Sequence, residues 1–249
     1  MRKAKWKGIG LKVRITLMVL RLLLAVPYYF FKIWWCGKSK KVSFEESFVL
    51  IKKITKKANH AGRVTIESYG LENIPKENGF MLYPNHQGLF DVLVFLESCP
   101  NPFAFVAKKE ASNIILLKQV MEALGCYAID REDVRQSMQV INKVSEDVKA
   151  GKNFLIFPEG TRSRKGNELL EFKGGSFKSA TKARCPIVPC ALIDSFIPFD
   201  ENSIRPVTVK VIYLTPMYYN EYKDMKTVEI AAEVRKRIEK AIEEYKTKK

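Results

Sequence analysis

The sequence predicts an α/β fold, in which a mixed, largely parallel sheet is flanked by helices and preceded by an N-terminal helical segment. Over most of the chain, short apolar runs of strand length alternate with segments whose apolar residues recur at helical spacing. Hydrophobic residues make up 47% of the 249 residues, which is enough for one sizeable core. The formal net charge is +16, and most of it lies in the first 57 residues, which sets that segment apart.

The N-terminal segment, residues 1–59, mixes basic residues with apolar and aromatic ones. Its apolar stretch at 15–35 is interrupted by Arg21, Pro27 and Lys32, whereas a helix that crosses a bilayer needs about 20 consecutive apolar residues. Lysines and arginines flank the stretch on both sides, which favours both ends on the cytoplasmic face. We therefore predict a monotopic or peripheral anchor on a phospholipid bilayer and no nucleic-acid partner. A buried amphipathic helix is the alternative.

The predicted α/β domain comprises residues 60–249. Just before it, Ser43-Phe44-Glu45-Glu46 matches a capping box and predicts a helix that runs to about residue 59. Within the domain, alternating or short buried apolar runs predict strands, and apolar residues three or four apart predict helices. In chain order the predicted elements are strands 63–69 and 80–83, helix 88–97, strand 103–107, helix 112–124, strand 126–129, helix 133–150, strand 154–157, helix 175–183, strands 187–193 and 207–213, and a helix from about 228.

The helix at 133–150 illustrates the pattern. Val134, Met138, Ile141 and Val144 recur at helical spacing, and Gly151 follows the last turn. We interpret these apolar residues as core.

The five cysteines are odd in number and contain no C-x-x-C pair. Reduced, mostly buried thiols are therefore expected, which indicates a cytosolic compartment. No Cys/His spacing resembles a zinc site, so we predict no metal, and no cofactor is indicated.

Three polar clusters directly follow predicted strands, at residues 85–91, 130–131 and 158–164. In an open α/β sheet, ligands bind outside the carboxyl ends of the strands. We therefore expect the three clusters to converge on one cleft.

The first cluster contains His86 five residues before Asp91, and His60 is the only other histidine in the chain. An imidazole can accept a proton from an alcohol, and a carboxylate can hold that imidazole in the required tautomer. The spacing of five is poor within one regular helix, so the pair requires the histidine to lie in a turn. Taken alone, the pattern occurs often by chance, and it favours a histidine that caps a helix and an aspartate that pairs with a lysine.

The other two clusters add cations and small residues. Backbone amides near Gly160, the Thr161 hydroxyl and the planar guanidinium of Arg162 suit a phosphate monoester. Arg131 supplies another arginine at a strand end. The alternatives are a plain polar turn at 158–164 and an ordinary surface pair of Asp130 with Arg131.

Together the clusters resemble the glycerolipid acyltransferase family, most closely the 1-acylglycerol-3-phosphate acyltransferases. The resemblance covers roughly residues 60–215, and its blocks are N-H-x-x-x-x-D at 85–91, G-x-x-x-I-D-R at 125–131, F-P-E-G-T-R-S at 157–163 and P-I-V-P at 186–189. It implies His86 as the base and Asp91 as the residue that orients it. It also implies Arg131, Glu159, Gly160 and Arg162 at the phosphate of the acceptor, with the Pro189 strand shaping the cleft.

The same resemblance implies transfer of a fatty acyl group from acyl-CoA or acyl carrier protein, as co-substrate, to the sn-2 hydroxyl of lysophosphatidate, which forms phosphatidic acid. Glycerol 3-phosphate and other lysophospholipids are alternative acceptors, and hydrolysis by a thioesterase is an alternative reaction. No G-x-S-x-G elbow is present, which disfavours a common serine hydrolase. From a different class, the basic N-terminus also fits a non-catalytic membrane-binding protein.

Overall fold

A seven-stranded sheet forms the centre of the computed structural model, which describes residues 13–247. The strand order is β1-β7-β6-β2-β5-β3-β4, and every neighbouring pair is parallel except β6 with β7. The prediction of a mixed, largely parallel sheet is therefore confirmed. The strands are β1 (Val64–Tyr69), β2 (Met81–Pro84), β3 (Phe103–Lys108), β4 (Tyr127–Ile129), β5 (Asn153–Leu155), β6 (Ile187–Ile193) and β7 (Val207–Tyr213).

Helices cover both faces of this sheet. Three 3-10 turns, at Leu71–Asn73, Lys109–Asn113 and Gly174–Phe177, complete the regular structure of the described residues. The helices are α1 (Val13–Arg21), α2 (Val26–Lys38), α3 (Phe44–Ala61), α4 (Asp91–Ser98), α5 (Leu117–Ala123), α6 (Val134–Lys149), α7 (Lys178–Ala183), α8 (Ile197–Asp200), α9 (Tyr219–Tyr222) and α10 (Thr227–Thr247).

The core lies in two layers because successive side chains of a strand point to opposite faces of a sheet. In β2, Leu82 belongs to the layer beneath α3 and α4, whereas Met81 and Tyr83 belong to the layer beneath α6, α7 and α10. All seven residues of β6 are buried, as expected for a central strand covered on both faces. The buried strands β2 and β6 therefore provide a well-packed support for the loops that follow their carboxyl ends.

Helix starts follow the predicted capping chemistry. The Ser43 hydroxyl accepts the Glu46 amide at 3.1 Å, and the Glu46 carboxylate accepts the Ser43 amide at 2.8 Å, which completes the capping box of α3. At α6, the Asp133 carboxylate accepts the Gln136 amide at 2.9 Å. Helix α3 thus begins at the cap read from the sequence, and α6 begins one residue after the predicted start at 133.

Several predicted boundaries are wrong. The helix expected at 112–124 is instead a 3-10 turn followed by the shorter α5, with Leu116 at a φ of 73° between them. A positive φ at a leucine interrupts regular helical hydrogen bonding. Helix α4 begins three residues later than expected, and α8 and α9 were missed because four residues are too few to show a period.

The N-terminal helices pack on the domain through a buried arginine. Arg14 is almost fully buried and donates to the backbone carbonyls of Pro198, Gly62 and Arg205 at 2.7 to 3.1 Å. Within 13–247, no single helix is long and apolar enough to cross a bilayer, but α1 and α2 together are, and they are bent by 94°. The basic cluster formed by Arg2, Lys3, Lys5, Lys7 and Lys12 lies outside the described residues.

Candidate active site

The turn after β2 is tied to the neighbouring strand β6 by Asn85. Its side-chain nitrogen donates to the Leu192 carbonyl at 3.1 Å, and its side-chain oxygen accepts the Leu192 amide at 2.7 Å. Two hydrogen bonds to one residue leave little freedom to rotate. The backbone that carries the next residue, His86, is therefore held at the carboxyl end of the sheet.

His86 and Asp91 form the hydrogen-bonded pair that the sequence predicted. The His86 Nδ1 lies 2.7 Å from Asp91 Oδ2. The spacing of five works because His86 lies in the turn and Asp91 is the first residue of α4. The Asp91 carboxylate is fully buried, and it also accepts the backbone amides of Gln87 at 2.6 Å and of Gly88 at 3.0 Å. The buried Asp91 carboxylate therefore has hydrogen-bond donors around it, which offset the cost of its burial.

The imidazole of His86 presents one nitrogen to the outside. Its ring stacks on Phe157 with 4.0 Å between centroids, and its side chain is 20% exposed. When Nδ1–H donates to Asp91, Nε2 carries the lone pair of the neutral ring. Among the described residues, no hydrogen bond is made to Nε2, so this atom is available to accept a proton from a bound alcohol.

The loop after β5 wraps around the histidine backbone. The Glu159 carboxylate accepts the His86 amide at 2.8 Å and the Leu170 amide at 3.3 Å, while the Ser163 amide donates to the His86 carbonyl at 2.9 Å. Burial raises the pKa of Glu159 from its ordinary value of 4.5 to about 7. Two of the three predicted clusters, 85–91 and 158–164, therefore meet.

The structure places Glu159 beneath the histidine turn. The resemblance placed it at the acceptor phosphate, but its side chain is only 2% exposed and its carboxylate is engaged by two backbone amides. Glu159 thus supports the backbone of the histidine loop, and its expected place at the phosphate stays a prediction.

Residues 160–162 turn toward solvent at the same edge. Gly160 has a φ of 70°, a conformation that glycine adopts without strain, and Thr161 is exposed. Arg162 is partly exposed, with its Nη1 3.9 Å from Asp200 Oδ1. At that distance the pair is loose, so the guanidinium keeps donors for a ligand.

A cavity of about 380 Å³ is lined in part by Phe196 and Asp200, which lie against Gly88 of the histidine turn. Arg162 and Arg164 line one side, and they flank Ser163, whose amide is bonded to the His86 carbonyl. The other lining residues are Gly166, Phe196 and Asp200. Two guanidinium groups beside the histidine turn make this cavity the best candidate for an anionic substrate group.

Arg131 lies at the end of the edge strand. It follows β4, which is separated from β5 by β3, and its side chain is exposed. Among residues 13–247, no hydrogen bond or ion pair joins it to His86 or Arg162. All of these strands run parallel, so Arg131 shares the carboxyl edge of the sheet with the site, and its place at the acceptor phosphate stays a prediction. Pro189 lies in β6 opposite Tyr83 of β2, beneath the site.

Several residues that complete the site were given no role from the sequence: Ser195 and Asn167 lie outside the predicted clusters, and Gln87 and Arg164 lie inside them. Ser195 donates a hydrogen bond to Asp91, Gln87 and Asn167 bridge the loops, and Arg164 lines the cavity. For Ser195 a signal existed, because it follows the predicted strand 187–193 by two residues, as the other clusters follow theirs. Lys173 lies near Gly160, since a Cβ built there would be 3.3 Å from its Nζ, but it is 13 positions away and carried no local signal.

The fold and the site define an α/β domain with a hydrogen-bonded histidine–aspartate pair at the carboxyl edge of its sheet. The acyltransferase family model matches residues 65–193, more than half of the chain. The chain belongs to this family. The matched range contains His86, Asp91 and the whole loop at 158–164.

Individual relatives point to the same family. The 1-acyl-sn-glycerol-3-phosphate acyltransferase of Borreliella burgdorferi is 30% identical over 158 residues, which are 64% of this chain and 63% of that protein. The enzyme of the same name from Cocos nucifera is 32% identical over 145 residues, 57% of this chain and 47% of that protein. The chain thus spans less than two thirds of either relative.

A solved structure shares the fold. The crystal structure of the 1-acyl-sn-glycerophosphate acyltransferase of Thermotoga maritima superposes with a TM-score of 0.76 and 24% identity, and the match covers 94% of this chain and 96% of that one. The arrangement of a central sheet with helices on both faces therefore has a solved example.

Proposed function

We propose that this chain transfers a fatty acyl group from an acyl thioester, acyl-CoA or acyl carrier protein, to the sn-2 hydroxyl of 1-acyl-sn-glycerol 3-phosphate, forming phosphatidic acid. The observation that carries the proposal is the His86–Asp91 pair, 2.7 Å apart, beside a cavity lined by two arginines. Both relatives are named as acyltransferases of 1-acyl-sn-glycerol 3-phosphate, and these names support the choice of acceptor.

The reaction requires one base and no covalent enzyme intermediate. The Nε2 of His86 takes the proton from the sn-2 hydroxyl while its oxygen attacks the thioester carbonyl carbon. The C–S bond then breaks, and the imidazolium returns the proton to the leaving thiolate. A positioned base of this kind contributes about 10² to 10⁴ in rate. Asp91 stabilises the imidazolium and holds the ring so that Nε2 faces the substrate.

The phosphate of the acceptor would bind in the arginine-lined cavity. Arg162 and Arg164 offer planar donor forks that match phosphate oxygens, and a bound phosphate would fix the glycerol next to His86. Holding the hydroxyl near the thioester converts an encounter in solution into a reaction within one complex. Thr161 supplies an exposed hydroxyl at the same edge, whereas the Gly160 amide already donates to the Phe157 carbonyl at 3.1 Å.

The lipid substrate suits the N-terminal helices. Leu24, Tyr28, Phe31 and Trp35 of the α1–α2 segment expose more than half of their side-chain surface. We place this face in the interface of a bilayer on the cytoplasmic side, as a monotopic or peripheral anchor, where basic residues meet anionic headgroups. Single-chain substrate and two-chain product would then exchange with the same membrane.

Product analysis by mass spectrometry tests the proposal. Purified wild type and His86→Ala are incubated with an acyl thioester and with either lysophosphatidate or glycerol 3-phosphate. Phosphatidic acid formed by wild type alone supports the proposal. Acylated glycerol 3-phosphate would move the acceptor to that alternative, free fatty acid alone would indicate a thioesterase, and no turnover would favour a non-catalytic membrane-binding protein.

The phosphate site has its own test. We expect Arg162→Ala to raise the KM for the acceptor by about tenfold or more, because a hydrogen bond to a charged group is worth about 1.5–3 kcal/mol. The KM for the acyl thioester should change little. Arg135→Ala, which removes an exposed arginine from α6, is the matched control. A change confined to the KM for the thioester would contradict the placement of the phosphate.

A further inference from the structure

A buried hydroxyl lies behind the aspartate of the site. Ser195 is fully buried, and its Oγ–H donates to Asp91 Oδ1, while His86 Nδ1 bonds to the other oxygen, Oδ2. Since an ionised carboxylate only accepts, the serine must be the donor. The carboxylate is thus held from two sides: the turn after β2 bonds to Oδ2 through His86 and the Gln87 amide and to both oxygens through the Gly88 amide, and Ser195, in the segment after β6, is the side-chain donor to Oδ1.

We propose that Ser195 is a positioning residue for acyl transfer, which acts through Asp91 on His86. The hydroxyl stops the carboxylate from rotating about its Cβ–Cγ bond, and so keeps Oδ2 aligned with His86 Nδ1. This role rests on the proposed function insofar as it affects turnover, but its effect on the histidine hydrogen bond does not require any particular substrate.

The backbone of Ser195 is itself held in place. Its amide donates to the Gln87 side-chain oxygen at 2.8 Å, and the Gln87 side-chain nitrogen donates to the Leu192 carbonyl at 2.9 Å and to Asn167 Oδ1 at 2.8 Å. Asp194 adopts a φ of 62°, which turns the chain sharply at the end of β6. A strained residue beside a buried, fully bonded serine indicates a placement that the surrounding loops enforce.

Kinetics separate positioning from a structural role. We expect Ser195→Ala to lower kcat on the order of tenfold, the value for a lost hydrogen bond to a charged group, with the KM of both substrates little changed. Ser195→Thr, which keeps a hydroxyl, should recover part of kcat. Ser179→Ala is the matched control, because Ser179 is also a buried serine and donates to the Ile141 carbonyl at 3.2 Å, away from Asp91.

A double-mutant cycle tests the route through Asp91. On an Asp91→Asn background, Ser195→Ala should lower kcat much less than it does in wild type, because the carboxylate it aligns is gone. Equal losses on both backgrounds would overturn the proposal, as would an unchanged kcat in Ser195→Ala. Circular dichroism and thermal melting establish that each variant is folded.

NMR measures the His86 hydrogen bond without requiring turnover. With ¹⁵N-histidine labelling, the two histidines are assigned by His60→Ala, and the Nδ1 proton of His86 is followed by NMR. We expect the signal of this proton to broaden or shift in Ser195→Ala and to keep its wild-type position and width in Ser179→Ala. An unchanged signal in Ser195→Ala would overturn the proposal. If wild type transferred no acyl group while this signal responded as expected, the proposed function would fail and the positioning role would stand.

Discussion

At the residue scale, the site depends on which hydrogen-bond partner each polar group has. Asp91 is charged and buried, which is costly unless donors surround it, and two backbone amides, one hydroxyl and one imidazole do so. The same bonds leave one imidazole nitrogen of His86 open. A histidine that served only as a helix cap would not need this buried carboxylate behind it.

Removing the base gives the first prediction at this scale. His86→Ala should lower kcat by about 10² to 10⁴ or abolish turnover, because it removes the base of the proposed reaction. Initial rates of product formation measure this, and circular dichroism checks the fold. His60→Ala, which removes the other histidine near the end of α3, should retain activity; comparable losses in both variants would argue against His86 as the base.

The buried carboxyl group of Glu159 gives a prediction about pH. Burial raises its pKa from 4.5 to about 7, so the folded protein binds this proton more tightly than the unfolded chain does. Its contribution to stability is therefore present at low pH and is lost as pH rises from about 4.5 to about 7, by at most about 1.4 kcal/mol per pH unit.

Glu159→Gln should remove this loss, because glutamine stays neutral and keeps an oxygen that can accept the His86 amide. Denaturant melts of wild type and variant at several pH values measure the difference. Glu77→Gln, at an exposed carboxylate, is the control and should follow wild type. A wild-type slope equal to that of Glu159→Gln across this window would contradict the assignment.

At the scale of elements, the site is built where loops after β2, β5 and β6 meet. The three strands are adjacent and parallel, so their carboxyl ends lie side by side. The turn after β2 packs so tightly on the segment after β6 that a Cβ at Gly88 would lie 2.9 Å from Asp200 Oδ2 and 3.0 Å from the Phe196 Cα. Glycine is therefore required at position 88 by close approach.

Gly88→Ala tests this packing. The added methyl group should push the 195–200 segment away from Asp91, lowering activity and destabilising the fold by about 1–3 kcal/mol, as overpacking does. The denaturation midpoint and kcat measure the two effects. Gly175→Ala is the control, because no atom lies within 4 Å of a Cβ at that position. Equal behaviour of the two variants would show that the contact at position 88 is not constraining.

At the scale of the whole molecule, charge and apolar surface are both concentrated at the N-terminus. The bent pair α1–α2 exposes apolar and aromatic side chains, and Arg14 ties this pair to the segment that carries Ser195 and to Arg205 beyond it. A membrane-facing surface fixed to the domain in this way would hold the site at a constant height above the bilayer.

The membrane face gives a prediction at this scale. Leu24 is 96% exposed, and Leu24→Asp should reduce binding to vesicles of mixed phosphatidylcholine and phosphatidylglycerol, because it replaces inserted apolar surface by a negative charge. Flotation of vesicles measures the bound fraction. Val228→Asp, at an exposed valine of α10, is the control and should bind like wild type. Unchanged binding of Leu24→Asp would place the membrane face elsewhere.

The sequence predicted the elements whose signals are local. The capping box at Ser43, the period of α6 and the buried runs of β2 and β6 each involve neighbours a few residues apart, and the structure contains all of them. Boundaries failed where the backbone departs from regular geometry, as at Leu116, because composition does not reveal a single positive φ.

By itself, then, the sequence determined the α/β class, the pairing of His86 with Asp91 and the family, because these follow from short-range pattern and motif. Only the tertiary structure decided that Ser195 stands behind Asp91, that Glu159 is buried beneath His86, and that Arg162 and Arg164 line one cavity with Phe196 and Asp200. Each of these depends on which strands become neighbours, and strand order results from long-range packing that no local window of sequence contains.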